Sequence, residues 1–348
     1  MAVSCALTSS DPGSRPNYEV VLRGRRAVLR TDRADVDSVQ DQHVFATAHD
    51  CALADRALFR DDEWLYIKFY VGSHLDRLDD LIVSALAPIV TETRPKQWFF
   101  IRYYDSGGPH LRIRLRCPRS ESKACFFLAK EICKRALEGL SAQKQFAYKP
   151  FFPKPAHSAS SLAHVPHVCR ARYAREFSFY GGDRGVELAE EVFHVSSQIA
   201  LAALRVESKG QLNRKCVILD LMLHVDLKRL GANKRFWRVY ADYWLSIAQI
   251  AQPEIWRKRF LRNHDALVFV GETRKRGSTN AQYRNRWNEA LERANAAHHQ
   301  IFSEPMPLAK LASFIHLMNN RLGVSLIEEA YLATLLEAEA YEATVTSC

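Results

Sequence analysis

Between Trp98 and Arg116 the chain reads WFFIRYYDSGGPHLRIRLR, two β-strands around a turn. Asp105, Ser106, Gly107, Gly108 and Pro109 supply the turn chemistry. Side chains alternate across a strand, so Leu111, Ile113 and Leu115 share one face while His110, Arg112, Arg114 and Arg116 share the other. Three adjacent guanidinium groups repel one another unless they face water or meet an anion. A wetted strand face is the commoner outcome for an amphipathic strand. The first strand argues otherwise, being apolar or aromatic at nearly every position except Arg102. Arg102 lies across from the arginine row if the turn sets the register that way. A cationic cluster on a mostly buried sheet suggests a pocket for an anion or a developing negative charge.

The rest of the chain is expected to complete an α+β fold, an antiparallel sheet in the first half packed against a largely helical second half. YEVVLRGRRAVLR (18–30) reads as an edge hairpin around Gly24, and 36–59 as a helix of poor periodicity. WLYIKFYV (64–71) is a buried strand. A helix follows over 75–90, with Leu75, Leu78, Ile82, Leu86 and Ile89 at helical spacing, then a loop over 91–96. Residues 121–141 read as helix, 142–170 as a long irregular connection and 171–180 as a short element ending before Gly181-Gly182. Helices are expected over 185–205, 213–230, 234–250, 281–302, 307–321 and 325–341. The division is a poorly legible segment, 1–60, and one domain, 61–348.

Hydrophobic residues make up 47% of the 348, ample for a core, and charged residues 25%. The net charge of +10 favours acidic partners. The tract 228–287 carries fourteen Lys and Arg against four acids, matching that whole excess. It reads either as solvated helix faces or as a docking surface for an acidic partner. The eight cysteines form no C-x-x-C pair and no zinc spacing, so no metal site is expected and free thiols in a reducing cytoplasm are. No signal-peptide segment or spanning run is evident, so a cytoplasmic protein without a membrane partner is expected.

Four segments together resemble a known family: WLYIKFYVG (64–72), the arginine hairpin (98–116), YAREFSFYGG with the helix after it (173–201), and SFIHLMNNRLG (313–323). They are similar to the lantibiotic-dehydratase C-terminal domain, also called the thiopeptide-type bacteriocin biosynthesis domain, over roughly 60–340. The resemblance implies one of two activities. One form eliminates glutamate from glutamylated serine or threonine, as part of a tRNA-dependent split dehydratase. The other, a stand-alone pyridine synthase of thiopeptide assembly, joins two dehydroalanines in a formal aza-[4+2] cycloaddition, loses water and expels the leader peptide. Where the eliminase pattern has Arg before Tyr-Gly-Gly, this chain has Phe179. Phenylalanine cannot hold a departing carboxylate, but it can line a pocket for an azole-rich peptide. That departure favours the cyclising form.

The resemblance implies no cofactor and a precursor peptide as partner, with an acidic leader and a core of dehydroalanines and azoles. It points to His316 for proton transfer, on the H-x-x-x-N-R helix, with Asn320 and Arg321 orienting substrate carbonyls. A lone helical histidine is more often a surface or packing residue, and Asn and Arg are common near a helix end. Arg112 and Arg114 are the expected polarising donors. His110 either meets substrate or closes the turn. Arg102 either binds substrate or pairs with Glu176, and Glu176 either orients an arginine or acts as a base. Tyr180 is a donor, an acid or a packing residue. A non-catalytic basic scaffold for peptide or RNA is the third reading. Without an RNA-recognition, KH or helix-turn-helix signature, nucleic acid is not the expected partner.

Overall fold

The computed structural model describes residues 18–22, 25–29, 64–140, 149–150, 165–262 except 228, 231, 233 and 234, and 281–345. Contacts divide the chain into Met1–Ala48 and His49–Cys348. In the first unit, β1 (Tyr18–Leu22) and β2 (Arg25–Leu29) form the expected hairpin, as a two-stranded sheet of its own. The helix expected over 36–59 lies outside the described residues.

The second unit is α+β, as its sequence pattern requires. Its sheet is built from β3 (Trp64–Tyr70), β4 (Gln97–Asp105), β5 (Gly108–Arg116) and β6 (His167–Ala171), in the order β4-β5-β3-β6, all antiparallel. One face carries Leu65, Ile67, Phe69, Phe100, Leu111, Ile113 and Leu115, all fully buried. Helices cover it: α1 (Leu78–Leu81), α2 (Ala87–Thr93) and α3 (Ser122–Gly139). Between α1 and α2 the chain makes a π-helical turn, Ile82–Leu86, so the helix expected over 75–90 runs on to Thr93 and shortens the expected loop. Pro88 has no N–H for the regular ladder, and a π turn absorbs that loss.

Two further expectations change. Strand β6 begins inside the supposed irregular connection and ends at Ala171, one residue past it. It is five residues long and follows Pro166, too short for a periodic signal. Most of that connection, 141–148 and 151–164, lies outside the described residues. The hairpin turn is only Ser106-Gly107, because Asp105 already pairs with Gly108. That register puts Arg102 opposite Leu111, on the apolar face and not across from the arginine row.

The helical half comprises α4 (Phe177–Tyr180), α5 (Gly182–Glu207), α6 (Arg214–Leu223), α7 (Arg235–Ile247), α8 (Pro253–Arg262), α9 (Ala281–Phe302), α10 (Leu308–Leu322) and α11 (Leu326–Val345). Helix α8 had no counterpart among the expected elements. Its ten residues are strongly polar, with only Arg257 and Phe260 buried.

An edge strand presents unpaired backbone groups. Helices α5 and α10 meet those of β4 with side chains. Ser197 Oγ accepts from the Phe100 amide at 3.2 Å, and His194 Nδ1 lies 2.9 Å from the Trp98 carbonyl oxygen. Asn320 Oδ1 accepts from the Arg102 amide at 2.9 Å, and its Nδ2 donates to the Arg102 carbonyl at 3.0 Å. Sheet edge and helices are thereby locked in one arrangement.

Candidate functional site

The arginine row does not face open water. Arg112 and Arg114 are 9% and 8% exposed. The Arg112 guanidinium carbon lies 3.3 Å above the centre of the Tyr103 ring. Arg114 sits among Tyr66, Phe99 and Tyr173, at 4.5, 5.2 and 4.8 Å. Aromatic faces attract and immobilise guanidinium groups without neutralising them.

His110 is fully buried. Its Nδ1 lies 3.0 Å from the Gly108 carbonyl oxygen, and Arg112 Nε donates to its Nε2 at 3.3 Å. An Nε2 that accepts leaves the proton on Nδ1, so the tautomer is set by its partners. Burial pushes the imidazole down to about 4, which keeps it neutral. His110 thus aims Arg112. Tyr70 stacks between His110 and His167 at 4.4 Å from each, and it donates to Asp105 at 3.1 Å.

Arg321 reaches the row from α10. It is 1% exposed, donates through Nε to Ser197 Oγ at 2.9 Å and lies over Phe193 at 5.6 Å. Burial, with Arg114 adding to it and Tyr180 opposing, lowers its guanidinium to about 9, still a cation at neutral pH. Among the described residues, Arg114 Nε and Arg321 Nη1 are buried donors without an acceptor. Two neighbouring buried cations with an unsatisfied N–H each form an environment suited to a negative group.

Tyr180 and Glu176 border this region from α4. Tyr180 is 4% exposed, its hydroxyl 3.1 Å from Ser313 Oγ, and burial raises it well above the ordinary range. Glu176 lies immediately before α4. Burial of its carboxyl raises it against the pull of Arg114 and Arg112. A bidentate pair from Arg175 to the buried Glu190, at 2.8 and 2.5 Å, ties this segment to α5. Lys310 donates to the Tyr180 carbonyl at 2.9 Å. A Cβ on Gly185 would come 1.8 Å from that carbonyl oxygen, so only glycine permits the tight entry into α5. Phe179 is 41% exposed and packs edge-on against Tyr180.

Three expected site residues make contacts within the fold. Arg102 pairs with Asp79 at 2.5 Å, not with Glu176. Asp79 is also held by Arg214 at 2.7 Å, which in turn pairs with Glu207 at 2.6 Å. The Asn320 amide is occupied by the β4 edge. His316 turns toward α7 and α11. Its Nδ1 lies 2.9 Å from Glu329 Oε1, and its ring stacks on Trp244 at 3.9 Å. His316 still lies on the accessible strip of α10. Ala312, Ser313, His316, Leu317 and Asn320 are half-buried, while Leu311, Phe314, Ile315, Met318 and Asn319 are buried. Ser313, bonded to Tyr180, is one turn before His316 on that strip.

Sequence reasoning missed Asp79, Arg214, Glu207, Glu329 and Lys310. Asp79 lies 135 residues from Arg214 and Lys310 lies 130 from Tyr180, while Glu207 and Glu329 meet partners on a neighbouring helix across a loop, so no pattern within one element marked them. The basic tract is partly neutralised. Arg238 pairs with Glu254 at 3.3 Å, Arg257 with Asp242 at 3.1 Å and also with Glu337, and Arg284 with Asp220 at 3.2 Å. Its residues 263–280 lie outside the described set. Cys117, Cys125, Cys133, Cys169 and Cys216 form no disulfide. Among the described residues no His, Cys, Asp and Glu cluster could hold a metal, and no helix is long and apolar enough to cross a membrane.

A family model described as the C-terminal part of the lantibiotic biosynthesis dehydratase matches residues 64–341. Among solved structures, the chain is similar to the tRNA dependent lantibiotic dehydratase MibB from Microbispora sp. 107891. The identity is 20% and the TM-score 0.52, over 83% of this chain and 29% of MibB. It is also similar to the pyridine synthase TbtD from thiomuracin biosynthesis, at 17% identity and TM-score 0.53, over 81% of this chain and 99% of TbtD. The chain thus spans less than a third of MibB and nearly all of TbtD. Likeness at these identities speaks for the fold. No curated protein matches the sequence.

Proposed function

The chain belongs to the lantibiotic biosynthesis dehydratase C-terminal family, and on that premise we propose that it is a pyridine synthase of thiopeptide assembly. Phe179 carries the reading. An exposed aromatic ring packs against Tyr180 near the arginine cluster, at the position where the eliminase pattern has an arginine. The substrate is a ribosomally made precursor peptide with an acidic leader and a core bearing dehydroalanines and azoles. Phe179 offers such a core a flat apolar surface.

The chemistry begins with proton movement. One peptide amide must become its iminol tautomer, so a proton leaves nitrogen and one arrives on oxygen. The resulting azadiene and the second dehydroalanine join through two carbon–carbon bonds. The hydroxyl then leaves as water, and the leader leaves as its carboxamide, which makes the ring aromatic. The unsatisfied N–H groups of Arg114 and Arg321 would stabilise negative charge on the reacting carbonyl oxygen. His316 would carry the proton. Holding both reacting parts of one peptide together supplies up to ~7–11 kcal/mol of the barrier.

Glutamate elimination is the second reading. Arg321, a buried cation next to Arg114 and without a carboxylate among the groups acting on it, would suit a departing glutamate. Two substrates separate the readings. A pyridine synthase consumes a leader-bearing peptide with two dehydroalanines and ignores a glutamylated-serine peptide. Consumption of the glutamylated peptide alone would overturn the proposal.

A further inference from the structure

Outside the arginine pocket, a second group of polar side chains meets in the helical half. Glu329 is fully buried on α11. Its Oε2 accepts from the Tyr240 hydroxyl at 2.5 Å, and its Oε1 lies 2.9 Å from His316 Nδ1. A carboxylate oxygen is an acceptor, so this contact is a hydrogen bond when His316 carries its proton on Nδ1. Burial and the adjacent carboxylate raise Tyr240 well above the ordinary range, so its hydroxyl remains a donor. Trp244 stacks on the imidazole at 3.9 Å and 26° and covers one ring face. The ring can therefore neither flip nor change tautomer without breaking a buried hydrogen bond. Its Nε2 points away from Glu329, and among the described residues no hydrogen bond to it is made. The side chain is 20% exposed.

We infer that Tyr240 and Glu329 are positioning residues that fix His316 as its Nδ1–H tautomer, with Nε2 presented as the proton-transferring atom. The inference rests on the proposed role of His316. In the reaction, Nε2 takes the proton from the amide nitrogen and returns one to the carbonyl oxygen, so His316 ends as it began. Between those steps Glu329 stabilises the imidazolium. The arrangement follows the logic by which a buried carboxylate orients a catalytic histidine.

The test begins on the protein alone. Long-range ¹H–¹⁵N spectra of the histidine-labelled chain, assigned with His316→Gln, are expected to show His316 as the Nδ1–H tautomer. Glu329→Gln keeps an acceptor oxygen and should keep that tautomer, while Glu329→Ala should lose the bias. Circular dichroism checks that each variant is folded. With the precursor peptide, Glu329→Ala should lower kcat about 10²-fold with KM unchanged, and Glu329→Gln should restore part of it. An Nε2–H tautomer in the wild type overturns the inference, and so does full turnover by His316→Gln. If the dehydroalanine peptide gives no pyridine while a glutamylated-serine peptide loses glutamate, the proposed function fails while the spectra still judge the tautomer.

Discussion

Arg102 donates Nε and Nη2 to the main-chain carbonyl of Arg321, at 3.1 and 3.0 Å. A strand residue thereby clamps the end of the helix whose side chain reaches the arginine row. Arg214 does the same to the Leu322 carbonyl at 2.9 Å. Helix ends leave carbonyls without intrahelical partners, and here two guanidiniums meet them. Gly323 permits the approach. Its φ is 84°, and a Cβ there would lie 3.2 Å from Arg214 Nη1 and 3.4 Å from Arg102 Cζ.

Removing the clamp should be costly. Arg102→Ala leaves Asp79 with one cation in place of two and exposes the Arg321 carbonyl to no donor. Breaking a buried ion pair by deleting one partner costs roughly 3–5 kcal/mol. Urea unfolding of the variant should show a loss of that order. A loss below about 1 kcal/mol would mean the network contributes little.

The buried neutral His110 predicts a pH window. Its folded value, about 4, lies below the 6.5 of a free imidazole, so between those limits the unfolded chain binds more protons. Its contribution is complete above pH 6.5 and is lost as pH falls toward 4, to a total of about 3 kcal/mol. His110→Gln keeps an acceptor for Arg112 but does not titrate. Unfolding curves measured across this window should diverge, the wild type losing more stability than the variant. Parallel curves would show that His110 is protonated in the folded protein.

Arg321 should separate stability from activity. A buried cation without a carboxylate is a burden on the fold, and well-packed apolar replacements of buried charges are often neutral or stabilising by ~1–4 kcal/mol. Arg321→Met is expected to raise the melting temperature. It should also lower kcat about 10²–10³-fold, the usual loss on removing a donor aimed at developing charge. A destabilised variant with full turnover would contradict both expectations.

Phe179 should set the choice of substrate. Phe179→Arg removes the exposed aromatic ring and adds a further cation near the arginine cluster. The variant should lose pyridine formation through a raised KM for the dehydroalanine peptide. Steady-state kinetics on that peptide test this, and an unchanged KM would remove Phe179 from the binding surface.

How much of this was legible in the sequence depended on range. The row of His110, Arg112, Arg114 and Arg116 followed from strict alternation, a local property, and so did the apolar face behind it. The facing of Arg102 hinged on a turn two residues long inside a run of five turn-forming residues, and pattern alone could not choose. The Asp79–Arg102–Arg214 network joins α1, β4 and α6, whose meeting is set by tertiary packing. His316 was marked by its helix motif, but its Glu329 partner lies on the following helix. Strand β6 has its paired neighbour about a hundred residues earlier in the chain and was invisible until the sheet formed.

The most direct measurement is the mass of the fragment released when the wild-type protein meets a leader-bearing peptide with two dehydroalanines and azoles. The account predicts a leader ending in a carboxamide, together with a macrocyclic core that absorbs as a pyridine. A peptide returned with its leader attached, from a protein that strips glutamate from glutamylated serine, would contradict it.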